Sequence, residues 1–356
     1  MADDSKSILP MPVRSRGERV TVPADSLGRD SMVISQGCRL CGFTRFEIVG
    51  EWDRHGDPLR TVACWRCGLV SHAQIPNAEE LRKFYEQEYR SAYNGEEVPS
   101  PKRIVREWDR ARHRFESMRP YLRDGDRVFE IGAGAGCNLK QFQLAGYRVD
   151  GIEPGPGFSQ FARERLHCPV ECKTLEQVGG TGEYDVALLI HVLEHLPEPR
   201  QALGRIRQLL RPGGRLYVEV PNLAAPHAAP GKIFHKAHIH NFTPWSLAAL
   251  ASATGFEVAK VFSRERDRNL AMCLSCGSSA RLQYDPDGYF RTKSALERYS
   301  TLRYHCRPQY VATRVSEVAQ EVRRRWQMQK SYAEILKICQ GTTCNPVRTE
   351  SLRPAA

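Results

Sequence analysis

From Arg127 onward the sequence repeats one pattern, in which a short apolar run is followed by a glycine-rich or polar turn and a helical segment. The successive runs are "RVFEIGAGAG", "YRVDGIEPGPG", "YDVALLIHVLEHL" and "GGRLYVEVPN". Short apolar strands that alternate with helices are typical of a parallel sheet with helices on both faces. The polar turn "RERDR" between "FEVAKVFS" and "NLAMCLSCG" predicts an antiparallel hairpin at the sheet edge. The fold class is therefore α/β, with a doubly wound sheet.

The first turn of this series carries three glycines in the spacing G-x-G-x-G, Gly132, Gly134 and Gly136, directly before a helix predicted to begin near Cys137. Glycines there allow a tight turn and let a ligand approach the free N–H groups of the helix, which favour a carboxylate or phosphate. The third glycine of the dinucleotide fingerprint would fall on Cys137, which disfavours a pyrophosphate ligand.

Glu153 ends the next strand, 21 residues after Gly132. An acid at that position can accept hydrogen bonds from both hydroxyls of a ribose. A ribose joined to an unphosphorylated partner that bears a carboxylate describes S-adenosylmethionine.

Four ordered segments, "VFEIGAGAG", "VDGIEP", "YDVALLIHVLEHLPEP" and "LLRPGGRLYVEVPN", resemble the successive motifs of class I S-adenosylmethionine-dependent methyltransferases. The resemblance extends from about Asp124 to Gly277 and implies an enzyme with a Rossmann-like sheet; the alternative is an unrelated doubly wound fold. It implies that the methionine end is held by Glu130 and the glycine turn, the ribose by Glu153, and that the adenine is flanked by Thr174, Leu175 and Glu176.

"HVLEHLPEP" follows the fourth strand. His191 leaves that strand at its carboxyl end, where ligands of such sheets bind, and is expected to face the methyl group or the acceptor. Glu194 and His195 are expected to start the following helix, where they either cap it or contribute to function.

Two cysteine pairs precede this region, Cys38 with Cys41 and Cys64 with Cys67, and 22 residues separate the pairs. This arrangement is close to the four-thiolate zinc pattern, and an ion with four protein ligands has no open position, so its role is expected to be structural. The alternative is four ordinary thiols in a small β unit. Cys273 and Cys276 repeat the spacing, but without a second pair nearby they are expected to be core thiols. Cys339 and Cys344 could complete a second metal site with them only if the tail folds back.

A four-cysteine module, the helical segment "LRKFYEQEYRSAY" and a methyltransferase core, in this order, are similar to the nucleotide-sugar C-methyltransferases. Phe234 stands where those enzymes have a catalytic tyrosine, and their glutamate falls on Ala237 or Lys236. The chain is also expected to lack their C-terminal nucleotide-binding domain. Methylation of an oxygen or nitrogen of a saccharide or polar small molecule therefore fits better than methylation of carbon.

The loop "FHKAHIHNF" places His235, His238 and His240 within nine residues. A metal ion requires converging ligands, and these histidines would need a carboxylate or cysteine beside them, so a general base is preferred. His238 matches the family's catalytic histidine and is the first candidate, followed by His235 and His240. The alternative is that all three only line or cap the loop.

The formal charge is +11, and residues from Arg264 onward contribute +8, with 17 Lys and Arg against 9 Asp and Glu. This basic tail favours a rival function as an RNA methyltransferase; a second rival is a non-catalytic interaction protein that keeps the fold.

The start lacks the apolar segment of a secretory signal, and no apolar run is long enough to span a membrane, so a cytoplasmic protein is expected. The predicted organisation is a flexible arm (1–36), a zinc-binding module (37–76), a helical linker (77–123), the methyltransferase domain (124–278) and a basic helical tail (279–356).

Overall fold

The computed structural model describes residues 31–77, 79–80, 96–225, 228–229, 231–264, 266–298, 304–306 and 328–341. Most of the predicted arm, the segment "LRKFYEQEYRSAY" and much of the basic tail lie outside the described residues. No helix among the described residues has the length and apolar character needed to cross a membrane.

The chain divides into two compact units, each assembled from separate stretches of sequence. The first comprises Met1–Asn77, Leu193–Gly204 and Glu219–Arg307, and the second comprises Ala78–Val192, Arg205–Val218 and Pro308–Ala356. The predicted domain boundaries follow the order of the sequence and remain predictions.

The first unit contains a five-stranded antiparallel sheet with the order β1-β2-β3-β4-β10. Its strands are β1 (Ser31–Val33), β2 (Arg45–Trp52), β3 (Pro58–Cys64), β4 (Val70–His72) and β10 (His240–Asn241). Strand β10 comes from the histidine loop, and its His240 lies opposite Ser71 of β4. The histidine loop is therefore part of the sheet that carries the cysteine pairs.

Two helices and a hairpin complete the first unit: α5 (Pro244–Ala253), α6 (Gly288–Glu297), β11 (Phe256–Val261) and β12 (Asn269–Cys276). Strands β11 and β12 pair antiparallel, and β11 is the edge strand, which confirms the predicted hairpin. Helix α5 begins with a capping box between Thr243 and Ser246, and most of its residues are buried.

The second unit contains the parallel strands β5 (Arg127–Ile131), β6 (Arg148–Ile152), β7 (Val170–Glu171) and β8 (Tyr184–Ile190). Its helices are α1 (Pro101–Met118), α2 (Cys137–Leu144) and α3 (Pro156–Arg165), while α4 (Pro199–Leu209) and β9 (Leu210–Pro221) pass from one unit into the other. The seven-stranded order is β11-β12-β9-β8-β5-β6-β7. A mostly parallel sheet with helices between its strands confirms the predicted Rossmann-like α/β class.

The core of the second unit is built by the apolar runs identified in the sequence. The rings of Phe129 on β5 and Tyr184 on β8 stack with centroids 4.5 Å apart. Phe115 of α1 packs edge-to-face on Phe142 of α2, with centroids 5.1 Å apart. These contacts pack β5 against β8 and α1 against α2, the two elements that flank the glycine turn being β5 and α2.

The segment after β8 departs from the sequence-based expectation. Glu194 and His195 lie in a short 3-10 turn (Leu193–His195), and helix α4 begins only at Pro199. Pro197 and Pro199 explain the break, because the residue before a proline is disfavoured in α conformation. A role for Glu194 and His195 as the start of that helix was therefore wrong.

Candidate functional sites

The glycine turn joins β5 to α2 in the second unit. Gly132, Gly134 and Gly136 have φ angles of 70°, 53° and 80°, in the left-handed region that favours glycine. A Cβ atom on Gly132 would meet Val192 Cγ2 at 2.4 Å, whereas a Cβ on Gly134 would meet no atom of the described residues within 4 Å. The turn is therefore closely packed at Gly132 and open at Gly134, where a ligand can approach the backbone.

Glu153 follows β6 and is attached to this turn. Its Oε2 accepts a hydrogen bond from Gly134 N at 2.9 Å, and its Oε1 accepts one from Gly155 N at 2.8 Å. Burial raises the pKa of this carboxyl, while the two backbone N–H groups oppose that shift. Both oxygens are thus held by backbone donors and keep further acceptor capacity for hydroxyl groups.

Glu130 is the penultimate residue of β5, beside the same turn, and is 1% exposed. Asn138 Nδ2 donates to its Oε1 at 2.7 Å, and Arg114 Nη1 donates to Asn138 Oδ1 at 3.3 Å. Its Oε2 is buried and has no hydrogen-bond partner among the described residues. Burial raises the pKa of Glu130 to about 8. A buried carboxylate oxygen of this kind is suited to a cationic ligand such as the ammonium of S-adenosylmethionine, so the residues present fit that cofactor.

The other predicted cofactor contacts lie on turns of the second unit. Thr174 caps the 3-10 turn Leu175–Gln177, and its backbone N–H donates to Gln177 Oε1 at 2.8 Å. His191 follows the last residue of β8 and has a φ of 54°. A positive φ is strained for a residue other than glycine and is enriched at functional sites. Neither position is tested further by the structure.

The four cysteines of the first unit converge, with all four sulfur atoms within 4.8 Å of one another. Cys38 Sγ lies 3.6 Å from Cys67 Sγ, and Cys41 Sγ lies 3.5 Å from Cys64 Sγ. Thiolates bound at about 2.3 Å to a tetrahedral zinc ion are about 3.8 Å apart. Hydrogen bonding from Cys38 lowers the pKa of the Cys41 thiol. The donor set and its spacing therefore fit zinc.

The two cysteine turns have the same hydrogen-bond pattern. Cys38 N donates to Phe43 O at 2.8 Å and Gly42 N to Cys38 O at 2.8 Å. In the second turn Cys64 N donates to Leu69 O at 2.9 Å and Gly68 N to Cys64 O at 2.9 Å. Each turn therefore presents its two thiols to one point. The remaining described cysteines, including Cys273, Cys276 and Cys339, form no metal-binding group with other described residues; Cys344 lies outside the described residues.

The histidine loop is held by the turn between β2 and β3. Arg54 N donates to Phe234 O at 2.8 Å, Lys232 Nζ donates to Arg54 O at 2.7 Å, and Lys236 Nζ lies 3.1 Å from Asp57 Oδ2. The ring of Phe234 packs against Gly50, where a Cβ would meet Phe234 Cδ2 at 2.8 Å. These contacts fold the loop back on the sheet and bring its histidines together.

The three histidines of the loop have different environments. His240 is fully buried: its Nδ1 accepts from Ser71 Oγ at 2.7 Å and its Nε2 donates to Pro197 O at 3.2 Å. Burial lowers the pKa of His240 to about 4 and that of His235 to about 3. His238 is only partly buried, and its ring centroid lies 3.7 Å from that of His235. Hydrogen bonding on both nitrogens favours a structural role for His240.

Glu194 and His195, which lie outside the loop, are close to its histidines. The sequence did not predict that they would lie there. The ring centroid of His195 lies 5.0 Å from that of His238, and Glu194 Oε1 lies 3.9 Å from His195 Nε2. One ligand atom from each of Glu194, His195 and His238 lies within 4.8 Å of the others. The carboxylate that the loop was expected to lack is therefore supplied by the segment after β8. The only signal in the sequence was the motif "LEH" itself.

Comparison with known proteins agrees with the sheet and the glycine turn. Residues 102–261 match a family of methyltransferase domains. The chain is 26% identical over 252 residues to the C-methyltransferase NovU of Streptomyces niveus, a match that covers 64% of this chain and 57% of that protein. It is 30% identical over 132 residues to a ubiquinone biosynthesis O-methyltransferase of Bradyrhizobium sp. (strain ORS 278), which covers 35% of this chain and 51% of that protein. The chain thus spans about half the length of these relatives.

Among solved structures, a 1,6-didemethyltoxoflavin-N1-methyltransferase from Burkholderia thailandensis with bound S-adenosylhomocysteine aligns with a TM-score of 0.43 and 20% identity, over 59% of this chain and 96% of that one. Residues 102–261, which include the glycine turn, are thus similar to methyltransferase domains.

Proposed function

We propose that the protein transfers a methyl group from S-adenosylmethionine to an oxygen or nitrogen of a saccharide or a related polar small molecule. The observation that carries the proposal is the arrangement around the glycine turn. Glu153 accepts a hydrogen bond from the N–H of Gly134. Glu130 lies beside the same turn, and its Oε2 is buried without a partner among the described residues. S-adenosylmethionine supplies an activated methyl group on a sulfonium, so the chain itself has to position the reactants and manage one proton.

Two carboxylates make the principal contacts that we propose with the cofactor. The carboxylate of Glu130 pairs with the ammonium of the methionine part, and the carboxylate of Glu153 accepts hydrogen bonds from the ribose hydroxyls. The open backbone at Gly134 allows close approach of the ligand. The remaining proposed contacts are Gly132 and Gly136 in the same turn, and Thr174, Leu175 and Glu176 beside the adenine.

His238 is the proposed general base. A histidine with a pKa near neutrality can accept the proton of a hydroxyl or an amine as the methyl group arrives. His235 is a weaker candidate, because burial lowers its pKa to about 3 and a neutral imidazole of that kind accepts a proton poorly. We propose that His235 and His191 contact the acceptor rather than remove its proton.

Phe234 supports an oxygen or nitrogen acceptor over carbon. Carbon methylation beside a ketone requires a group that stabilises an enolate, and a buried phenyl ring neither donates nor accepts the necessary hydrogen bond. One relative is named a C-methyltransferase and another an O-methyltransferase, so the relatives are consistent with either outcome.

We further propose that the four cysteines hold a structural zinc ion. Four protein ligands close the coordination shell, so the ion stabilises the sheet of the first unit and takes no part in methyl transfer. Strand β10 pairs with β4 of this sheet, and the zinc site thereby supports the loop that carries His238.

The test is a labelling experiment with radioactive S-adenosylmethionine and an extract of the source organism, separated into RNA, protein, glycan and small-molecule fractions. Label in the glycan or small-molecule fraction is expected. It should fall by about 10²–10⁴-fold in His238→Ala and remain unchanged in His113→Gln, which alters an exposed histidine of α1. Label in RNA would contradict the proposed acceptor and support the RNA methyltransferase rival.

Cofactor binding is measured separately by calorimetry with S-adenosylhomocysteine. Glu153→Ala is expected to weaken binding more than about tenfold, which corresponds to about 1.4 kcal/mol for the lost ribose hydrogen bonds. Glu164→Ala, at an exposed position of α3, serves as the control and should bind normally. Equal affinity of the two variants would contradict the ribose role of Glu153, and no binding by the wild type would favour a non-catalytic protein.

A further inference from the structure

We infer that Glu194, His195 and His238 form a binding site for a divalent first-row transition metal, separate from the four-cysteine site. The inference goes beyond the proposed function and does not depend on it. Its basis is the convergence of one carboxylate oxygen and two imidazole nitrogens within 4.8 Å of one another. Ligand atoms at about 2.1 Å from one ion are about 3–4 Å apart, so small side-chain movements suffice for all three to bind the same ion.

The orientation of His195 supports a ligand role. Its Nδ1 lies 2.6 Å from the carbonyl oxygen of Ala237, which can only accept a hydrogen bond. Nδ1 therefore carries the proton, and Nε2 presents its lone pair, 3.9 Å from Glu194 Oε1. A histidine ligand whose second nitrogen donates to a backbone carbonyl is the usual arrangement in protein metal sites, because that bond fixes both the tautomer and the ring orientation.

Burial gives the cluster a second property of metal sites. Glu194 is 1% exposed, and His195 and His238 are partly buried. A divalent cation bound at this position would compensate the charge of the buried carboxylate.

The donor set indicates which cations fit. Two imidazoles and one carboxylate suit zinc, iron, cobalt and manganese, whereas magnesium and calcium prefer oxygen ligands throughout. Three protein ligands leave positions for water or for an oxygen of a second molecule, unlike the closed four-cysteine site. A hydroxyl bound at such a position would have a lowered pKa. His238 would serve as a ligand when the cation is bound and as the proposed general base when it is not.

The experiment measures binding of Mn²⁺ to protein loaded with a single equivalent of zinc, which the four thiolates take up, by the loss of the free Mn²⁺ signal in electron paramagnetic resonance. Mn²⁺ is a suitable probe because it favours oxygen and nitrogen donors over thiolates, so the cysteine site does not contribute. One Mn²⁺ per chain is expected. The affinity should fall more than about tenfold in Glu194→Gln and in His195→Gln, and it should be unchanged in His113→Gln.

The inference is overturned if the wild type binds no Mn²⁺, or if Glu194→Gln and His195→Gln bind it as tightly as the wild type does. Because Glu194 is buried, each variant is first compared with the wild type by circular dichroism and by its affinity for S-adenosylhomocysteine. A folded His195→Gln protein that binds the nucleoside but not Mn²⁺ supports the site. Since the readout is metal binding, failure of methyl transfer leaves this result intact.

Discussion

The two glycines that follow the cysteine pairs offer a direct test of how the sheet that carries the four cysteines is stabilised. Gly42 and Gly68 occupy equivalent positions and have nearly equal φ angles of 72° and 69°. Their surroundings differ. A Cβ on Gly42 would have no atom of the described residues within 4 Å, whereas a Cβ on Gly68 would lie 2.3 Å from Gly288 O and 2.6 Å from Thr292 Oγ1 of helix α6. Replacement by alanine therefore imposes the same backbone strain at both sites but a steric clash only at Gly68.

The expected changes in the free energy of unfolding follow from the backbone strain and the steric clash. A left-handed conformation costs a residue other than glycine about 1–2 kcal/mol, and the reduced entropy of the unfolded chain returns about 0.4–1 kcal/mol. Gly42→Ala should therefore lower the free energy of unfolding by about 1 kcal/mol. At Gly68 overpacking against backbone adds about 1–3 kcal/mol, and it also disturbs the hydrogen bond from Thr292 Oγ1 to Gly68 O, which is 3.0 Å long. The total for Gly68→Ala is about 2–4 kcal/mol.

The assay is release of zinc to a colorimetric chelator as a function of urea concentration, performed on both variants and the wild type. With a urea dependence of about 1–3 kcal/mol/M, the release midpoint of Gly68→Ala should lie about 1 M below that of Gly42→Ala. Equal midpoints for the two variants would refute the reasoning, because the contact with α6 would then contribute nothing to the stability of the cysteine turns.

Three further predictions concern other parts of the chain. The pKa of Glu130 is raised from 4.5 to about 8, so the folded protein retains this proton to higher pH than the unfolded chain does. The free energy of unfolding should therefore decrease as pH rises from about 4.5 to 8. In urea titrations at several pH values, Glu130→Gln should reduce this dependence on pH. Ser100→Ala removes the acceptor for Arg103 N at 3.3 Å and should lower the free energy of unfolding by about 1 kcal/mol, while a loss near zero would show that α1 begins without this cap. Thr243→Ala removes a fully buried cap of α5 and should cost about 2 kcal/mol, with Thr243→Ser as the conservative control that retains most of the stability.

The sequence was sufficient for the features that depend on neighbouring residues. The order of strands, turns and helices from Arg127 onward follows from apolar runs and glycines, and the structure has the edge hairpin and the start of α2 where they were predicted. The cysteine turns are equally local, because each pair is separated by two residues and followed by a glycine. Such patterns are set by backbone geometry within one turn of chain.

The histidine cluster depended on tertiary structure. His195 and His238 are 43 residues apart in sequence, and their rings lie 5.0 Å apart only because the loop folds back on the turn between β2 and β3. In the sequence nothing distinguishes His240 from His235 and His238, but in the structure it is a buried strand residue opposite Ser71. A short motif specifies its own conformation, whereas the partners of a side chain are fixed by packing between distant segments. The sequence by itself therefore determined the class of domain and the cofactor turn, and the tertiary structure alone decided which histidines meet a carboxylate.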